Sequence, residues 1–298
     1  MKRLAIVIAL TAQSVAAQMP EQRAVDYLAR ETPRWFRENS CFSCHNNGDA
    51  ARALYTASRK GYKVPQEALA DTTEWLLRPL DWDNNHGDPG FSDKKLARIQ
   101  FAAALVEAYN AGVVRDRDAL TKAAESLLPY QAADGSWQVD VASVGSPATY
   151  GTALATYMAV RTLNAAGGDR VKEAQSKALA WFRKNTPRST LEQSVSLLTI
   201  PTPQVTSLLL RAQSSDGGWG PYPGSPAEPF DTAVALMALQ NLKAPNRTAI
   251  DRGRAFLIAR QERSGGWPET TRPPGAQSYA EHISTSGWAT LALILTAN

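Results

Sequence analysis

Gln131-Ala132-Ala133-Asp134-Gly135-Ser136-Trp137, Gln213-Ser214-Ser215-Asp216-Gly217-Gly218-Trp219 and Gln261-Glu262-Arg263-Ser264-Gly265-Gly266-Trp267 are three copies of one pattern. Glutamine, glycine and tryptophan keep the same spacing in each copy, which chance does not easily produce three times. Trp137 and Trp219 stand 82 residues apart, two units of 41, and Trp219 and Trp267 stand 48 apart. Periods of about 40–50 residues mark repeat architectures.

Each copy follows an amphipathic stretch: 120–130, 205–212 and 250–260. Beyond each lies a variable loop, then a segment of small and apolar residues: TYGTALATYMAV (149–160), FDTAVALMALQNL (230–242) and STSGWATLALILT (284–296). A helix apolar nearly all round is buried. The unit is therefore an outer helix, a Gly-Trp loop and an inner helix. The rest of the chain fits the same grammar, giving six units at about 21–62, 66–112, 118–167, 171–201, 204–244 and 248–298. This predicts an all-α (α/α)6 toroid, six helical hairpins with their inner helices around an axial cavity. An open helical solenoid is the alternative.

With 298 residues, 44% of them hydrophobic, the chain builds a sizeable core, which excludes disorder. The net charge of +4 comes without a dense Lys/Arg block, which argues against nucleic acid. Lys2 and Arg3 precede a short apolar run at 4–10, and Val15-Ala16-Ala17 offers small residues for cleavage. This reads as a secretory signal peptide, residues 1–17, with an N-terminal anchor as the alternative. The run is too short to span a bilayer. The expectation is an exported protein of a bacterial periplasm, with a single toroid domain at 18–298 and no membrane span once the signal is removed.

The Gln-x-x-x-Gly-x-Trp copies, each followed by a small-residue inner helix, resemble the repeats of squalene and hopene cyclases and of protein prenyltransferases. The resemblance covers most of 66–298. It implies the (α/α)6 toroid, with Gln131, Trp137, Gln213, Trp219, Gln261 and Trp267 tying neighbouring helix ends together. The cyclases of that family carry an Asp-x-Asp-Asp-Thr-Ala motif whose middle aspartate protonates the substrate. Pro229-Phe230-Asp231-Thr232-Ala233 is the nearest match here, with Glu228 at the first aspartate and Asp231 at the last. Phe230 stands at the proton donor, and a phenyl ring cannot donate a proton, which speaks against polyene cyclisation. Asp231 equally suits a helix start. The prenyltransferases need a zinc site with a cysteine, and the cysteines here lie far away, in the first unit. Gly265-Gly266-Trp267-Pro268 also resembles a short pectate lyase pattern.

Cys41-Phe42-Ser43-Cys44-His45 holds both cysteines of the chain. CxxCH is the attachment motif of c-type haem: two thiols form thioethers to the vinyl groups, and the histidine falls beneath the iron. Covalent haem c on Cys41, Cys44 and His45 is the leading expectation. A disulfide and a zinc site are the alternatives. Aligned on Leu54 and Leu291, His45 and His282 both stand nine residues ahead, at equivalent points of the first and last units. His86 precedes the second inner helix. His282 and His86 are therefore candidate distal ligands of the haem iron, ahead of Met19, Met158 and Met237. Phe101, Tyr150, Tyr157, Phe230 and Trp288 are candidates to line the cavity, or plain core.

The expected function is that of an exported c-type cytochrome-like toroid engaged in electron transfer or haem-based redox chemistry. Its partner would be a redox protein or a small apolar molecule in the cavity. Two rivals stand beside it. One is a haem-free enzyme, terpenoid cyclase-like or polysaccharide-lyase-like, with Asp231 and Glu228 as acids and Asp81, Asp83 and Asp88 behind them. The other is a non-catalytic ligand-binding toroid.

Overall fold

The computed structural model describes residues 19–86, 94–139, 151–270 and 278–297. The segment 1–17 expected to be a signal peptide, Asp88 and Tyr150 lie outside the described residues. Twelve α-helices pair into six hairpins, and no strand occurs among the described residues. The pairs are α1 (Pro20–Asn39) with α2 (Ala51–Arg59), and α3 (Ala70–Leu76) with α4 (Lys94–Asn110). Next come α5 (Arg117–Leu127) with α6 (Thr152–Ala166), and α7 (Asp169–Lys184) with α8 (Thr190–Thr199). The last are α9 (Pro203–Arg211) with α10 (Pro229–Gln240), and α11 (Arg247–Arg260) with α12 (Tyr279–Thr296).

The even-numbered helices form the inner ring. Each packs on the next, from α2 through α4, α6, α8 and α10 to α12, and α12 packs back on α2. The ring is closed, so the toroid holds and the open solenoid does not. Inner helices are small and apolar because both faces are covered: every residue of α10 from Pro229 to Leu239 is buried. The fourth inner helix is short for local reasons. Ser189 and Glu192 form a reciprocal capping box at its start, and Pro201 follows Ile200 at its end.

The repeated motif acts as a clamp at one end of the ring. Trp137, Trp219 and Trp267 are fully buried. Each indole Nε1 donates to a carbonyl ten residues earlier, on Leu127 (2.9 Å), Leu209 (2.8 Å) and Leu257 (2.8 Å). Each tryptophan N–H is accepted by a hydroxyl of the following inner helix, on Thr156, Thr232 or Ser286. Each glutamine Nε2 donates twice, to the glycine carbonyl of its own loop and to the next outer helix. The second acceptors are Ala174 (2.8 Å), Ala249 (2.9 Å) and, for Gln261, Pro20 (2.9 Å). The last motif thus grips the first helix, which is how the ring closes. Gly265 has φ +102°, and a Cβ there would stand 2.3 Å from the Arg23 carbonyl, so only glycine fits.

The first unit departs from the pattern. Its inner helix begins seven residues before α2, with a π-helical segment at Cys44–Ala50. Ser43 caps it by accepting from the Asn46 N–H, 3.0 Å. The segment lies so close to α4 that a Cβ on Gly48 would come within 2.8 Å of the Gln100 Cβ.

Candidate functional site

The π-helical segment places His45 at the clamped end of the ring. The imidazole is buried, with the Trp35 ring edge-on at 5.0 Å and the Tyr279 ring edge-on at 5.9 Å. Trp35 and Tyr279 stack on each other, 5.6 Å between centroids. The Tyr279 hydroxyl donates to Glu31 and accepts from Asn46 Nδ2. Burial pushes the His45 pKa down to about 3, so the ring is neutral. Its Nε2 is enclosed and meets no hydrogen-bond partner. Cys41 is buried and its Sγ accepts from Trp35 Nε1 at 3.3 Å, while Cys44 is half-buried; the two are not joined in a disulfide.

The other histidines go elsewhere. His282 lies in the first turn of α12, 3.5 Å from Glu269 and 3.9 Å from Glu262, with its ring edge-on to Tyr27. His86 is exposed; its neighbour Asn85 bonds the backbone of Phe42. Met19 is exposed, and Met158 is buried against Arg52.

The opposite end of the ring holds an axial cavity of about 270 Å³. All six inner helices contribute to it: α2 gives Arg52, Thr56 and Arg59, α4 Glu107, α6 Tyr157 and Arg161. Leu198 on α8, Met237 on α10, and Leu291 and Leu295 on α12 add apolar wall beside Trp288, and Gln240 and Asn241 at the end of α10 add two amides. Of the candidate aromatics, Tyr157 and Trp288 line it, whereas Phe101 and Phe230 are fully buried core.

Arg52 forms the floor. It is 1% exposed, with its guanidinium 4.0 Å over the Trp288 ring. It donates to Met158 Sδ at 2.9 Å and to Asp49 at 3.2 Å. Asp49 is fully buried and also accepts from Ser284, 2.8 Å. Burial raises the Asp49 pKa to about 7, against the pull of Arg52 and Ser284. Nearer the mouth, Arg161 is ion-paired to Glu107, Arg59 stands 3.8 Å from the same carboxylate, and the Thr56 hydroxyl donates to it at 3.4 Å. Burial works to raise the Glu107 pKa, but Arg161, Arg52 and Arg59 together hold it below the ordinary glutamate value.

The expected acids do not reach this space. Asp231 is fully buried in the first turn of α10, while the cavity is lined by Met237, Gln240 and Asn241 toward that helix's other end. Even Met237 stands six residues further along the helix, about 9 Å of rise. Glu228 occupies the N-cap of α10. Asp83 is ion-paired to Arg98, and Asp81 lies in the same short 3-10 segment, Pro79–Asn84. The arginines were missed by the sequence reading. The available signal was a charge inside a helix of small apolar residues, as at Arg52, Glu107 and Arg161.

No helix among the described residues is long and apolar enough to cross a membrane. No protein-family model matches the chain. Two curated relatives are drimenyl diphosphate synthases, from Streptantibioticus cattleyicolor (38% identical over 64 residues) and Streptomyces showdoensis (38% over 60 residues). These matches span 22% and 20% of this chain and only 12% and 11% of the relatives. Among solved structures, the type II terpene cyclase MstE from Scytonema is similar at TM-score 0.56 and 13% identity, covering 92% of this chain and 96% of that one. A protein from Actinoplanes is similar at TM-score 0.55 and 15% identity, covering 94% and 99%. Structures of MstE variants hold geranylgeranyl dihydroxybenzoate as substrate or merosterolic acid A as product.

These findings overturn the haem c expectation. The chain has the fold of a type II terpene cyclase, and among the described residues no three of His, Cys, Asp and Glu converge as a ligand set. His45 is instead packed against the stacked rings of Trp35 and Tyr279, and neither His86 nor His282 joins it with the cysteines around a metal position. The electron-transfer reading and its redox partner lose their basis with the haem. What stands is an all-helical toroid of terpene cyclase type.

Proposed function

We propose that this chain is a haem-free, terpenoid cyclase-like toroid that takes a small, largely apolar molecule into its axial cavity. The observation that carries the reading is the cavity itself, walled by every inner helix and faced by Leu198, Met237, Leu291, Leu295 and Trp288. Its volume falls at the small end for ligand sites, which suits a short isoprenoid. Among the described residues no ligand set for a redox metal converges.

The electrostatics favour binding over proton-initiated turnover. The carboxylate that lines the cavity is Glu107, held ionised by arginines, and so a poor proton donor. Asp49, though its pKa is raised to about 7, lies behind Arg52 and does not line the cavity, and at the expected site of the acid Phe230 stands beside Asp231 where the cyclase motif has its donor. Export to a periplasm stays part of the proposal, on the strength of the Lys2 to Ala17 pattern.

The test is calorimetric titration with geraniol, together with mass spectrometry of the mixture after long incubation. Saturable binding without a new product is expected. No binding would sink the reading. A cyclised product that disappears in Asp231→Asn would replace it with an enzyme.

A further inference from the structure

The cavity carries more charge than an apolar ligand needs. Its wall and floor bring together three arginines, Arg52, Arg59 and Arg161, against two carboxylates, Glu107 and, behind Arg52, Asp49. With all five ionised, one positive charge is left over. Ionised groups are rarely kept in a buried site without a partner. Arg52 is the most deeply buried of the three: its side chain is 2% exposed, it faces the cavity, and although Asp49 and Met158 take up its two terminal nitrogens, its Nε meets no hydrogen-bond partner. Arg59 is the most accessible of the three, with a side chain 39% exposed.

A competing use for these arginines would be to neutralise the carbonyl ends of the inner helices, where cations are favoured. Only Arg59 occupies the last turn of its helix. Arg161 has five residues of α6 after it, and Arg52 sits at the start of α2. Helix-end chemistry therefore accounts for one arginine of three.

We infer that the ligand of the axial cavity is amphiphilic: an anionic head, carboxylate or phosphate, held between Arg59, Arg161 and Arg52, with an apolar body on the leucine and tryptophan wall. This rests on the reading of the cavity as a small-molecule site and adds the chemistry of the head. Guanidinium groups present planar, paired donors that match such oxyanions. Glu107 orients Arg161 and Arg59 from the side, and the Trp288 ring and Asp49 fix Arg52 from below.

The experiment is calorimetry on the full chain with geraniol, geranic acid, geranyl phosphate and inorganic phosphate, each at low and high salt. Geranate or geranyl phosphate should bind about tenfold or more tightly than geraniol, the size of one charge-assisted hydrogen bond. That advantage should shrink with salt and in Arg59→Gln. The better of the two anions identifies the head. Equal binding of geraniol and both anions would overturn the inference and leave the apolar cavity standing. Inorganic phosphate binding as tightly as geranyl phosphate would overturn it too, by showing a plain anion site. If none of the isoprenoids binds, the cavity reading itself fails. The wild-type comparison decides the matter even if Arg59→Gln does not fold.

Discussion

The two ends of the ring handle buried polar groups in opposite ways. At the clamped end, the glutamine-tryptophan loops and the π-helical segment fill the space, and His45 is kept neutral against the stacked Trp35 and Tyr279 rings. At the other end, Arg52, Arg161 and Glu107 stay charged around a void. A neutral imidazole tolerates a dry aromatic box. Three guanidinium groups do not, and they need carboxylates, a ring face and room for something more. The same helices thus end in a seal on one side and a charged cavity on the other.

The largest expected effect lies at the seal. Trp267→Ala removes a fully buried indole and its bond to Leu257, and should cost about 3–5 kcal/mol in chemical denaturation. A loss below about 1 kcal/mol would mean that the clamp does not hold the ring. At the cavity end, Glu107→Gln leaves Arg161 without its counter-charge and should cost about 2 kcal/mol. If the variant is as stable as the parent, the charges there are hydrated and the two ends are not so different.

A third test sets one end against the other through pH. The folded pKa of His45 is about 3, below its ordinary value near 6.5, so the unfolded chain takes up a proton there first. Stability from His45 is full above pH 6.5 and drains away as pH falls toward 3. Asp49 does the reverse: its folded pKa is about 7 against an ordinary 3.8, so its contribution falls as pH rises from 4 to 7. The two slopes oppose each other across the same window. In His45→Gln the Asp49 slope is unmasked, and the stability difference from wild type should shift in the variant's favour as pH drops from 6.5 to 4. A difference that stays constant with pH would show that His45 protonates freely in the fold.

The smallest effect sharpens the contrast between buried and exposed charge. Arg170 and Glu125 pair at 3.0 Å on the outside, with the Arg170 side chain 82% exposed. Arg170→Ala should change stability by less than about 0.5 kcal/mol, against the larger loss from Glu107→Gln.

The sequence reveals the ring because its determinants are local and repeated. Gln131, Gly135 and Trp137 lie within one loop, and Trp137 reaches back only ten residues to Leu127. The haem motif misled for the opposite reason. What surrounds His45 comes from Trp35 in the helix before it and from Tyr279 at the far end of the chain, and five residues of motif carry no trace of either. The cavity was hidden in part. Tyr157 and Trp288 were legible as aromatics on inner helices. Arg52 meeting Trp288 and Glu107 meeting Arg161 depend on which faces of separate helices turn inward.

Gln261 bonds the carbonyl of Pro20, across 241 positions of sequence. During synthesis, α1 leaves the ribosome well before the loop that grips it, which is made 241 positions later. Until then the edges of the growing arc expose the apolar flanks of its end helices. Joining such distant segments is slow relative to forming each hairpin. The final closure is therefore the step at which a nascent chain is most exposed to aggregation, and at which a chaperone would matter most.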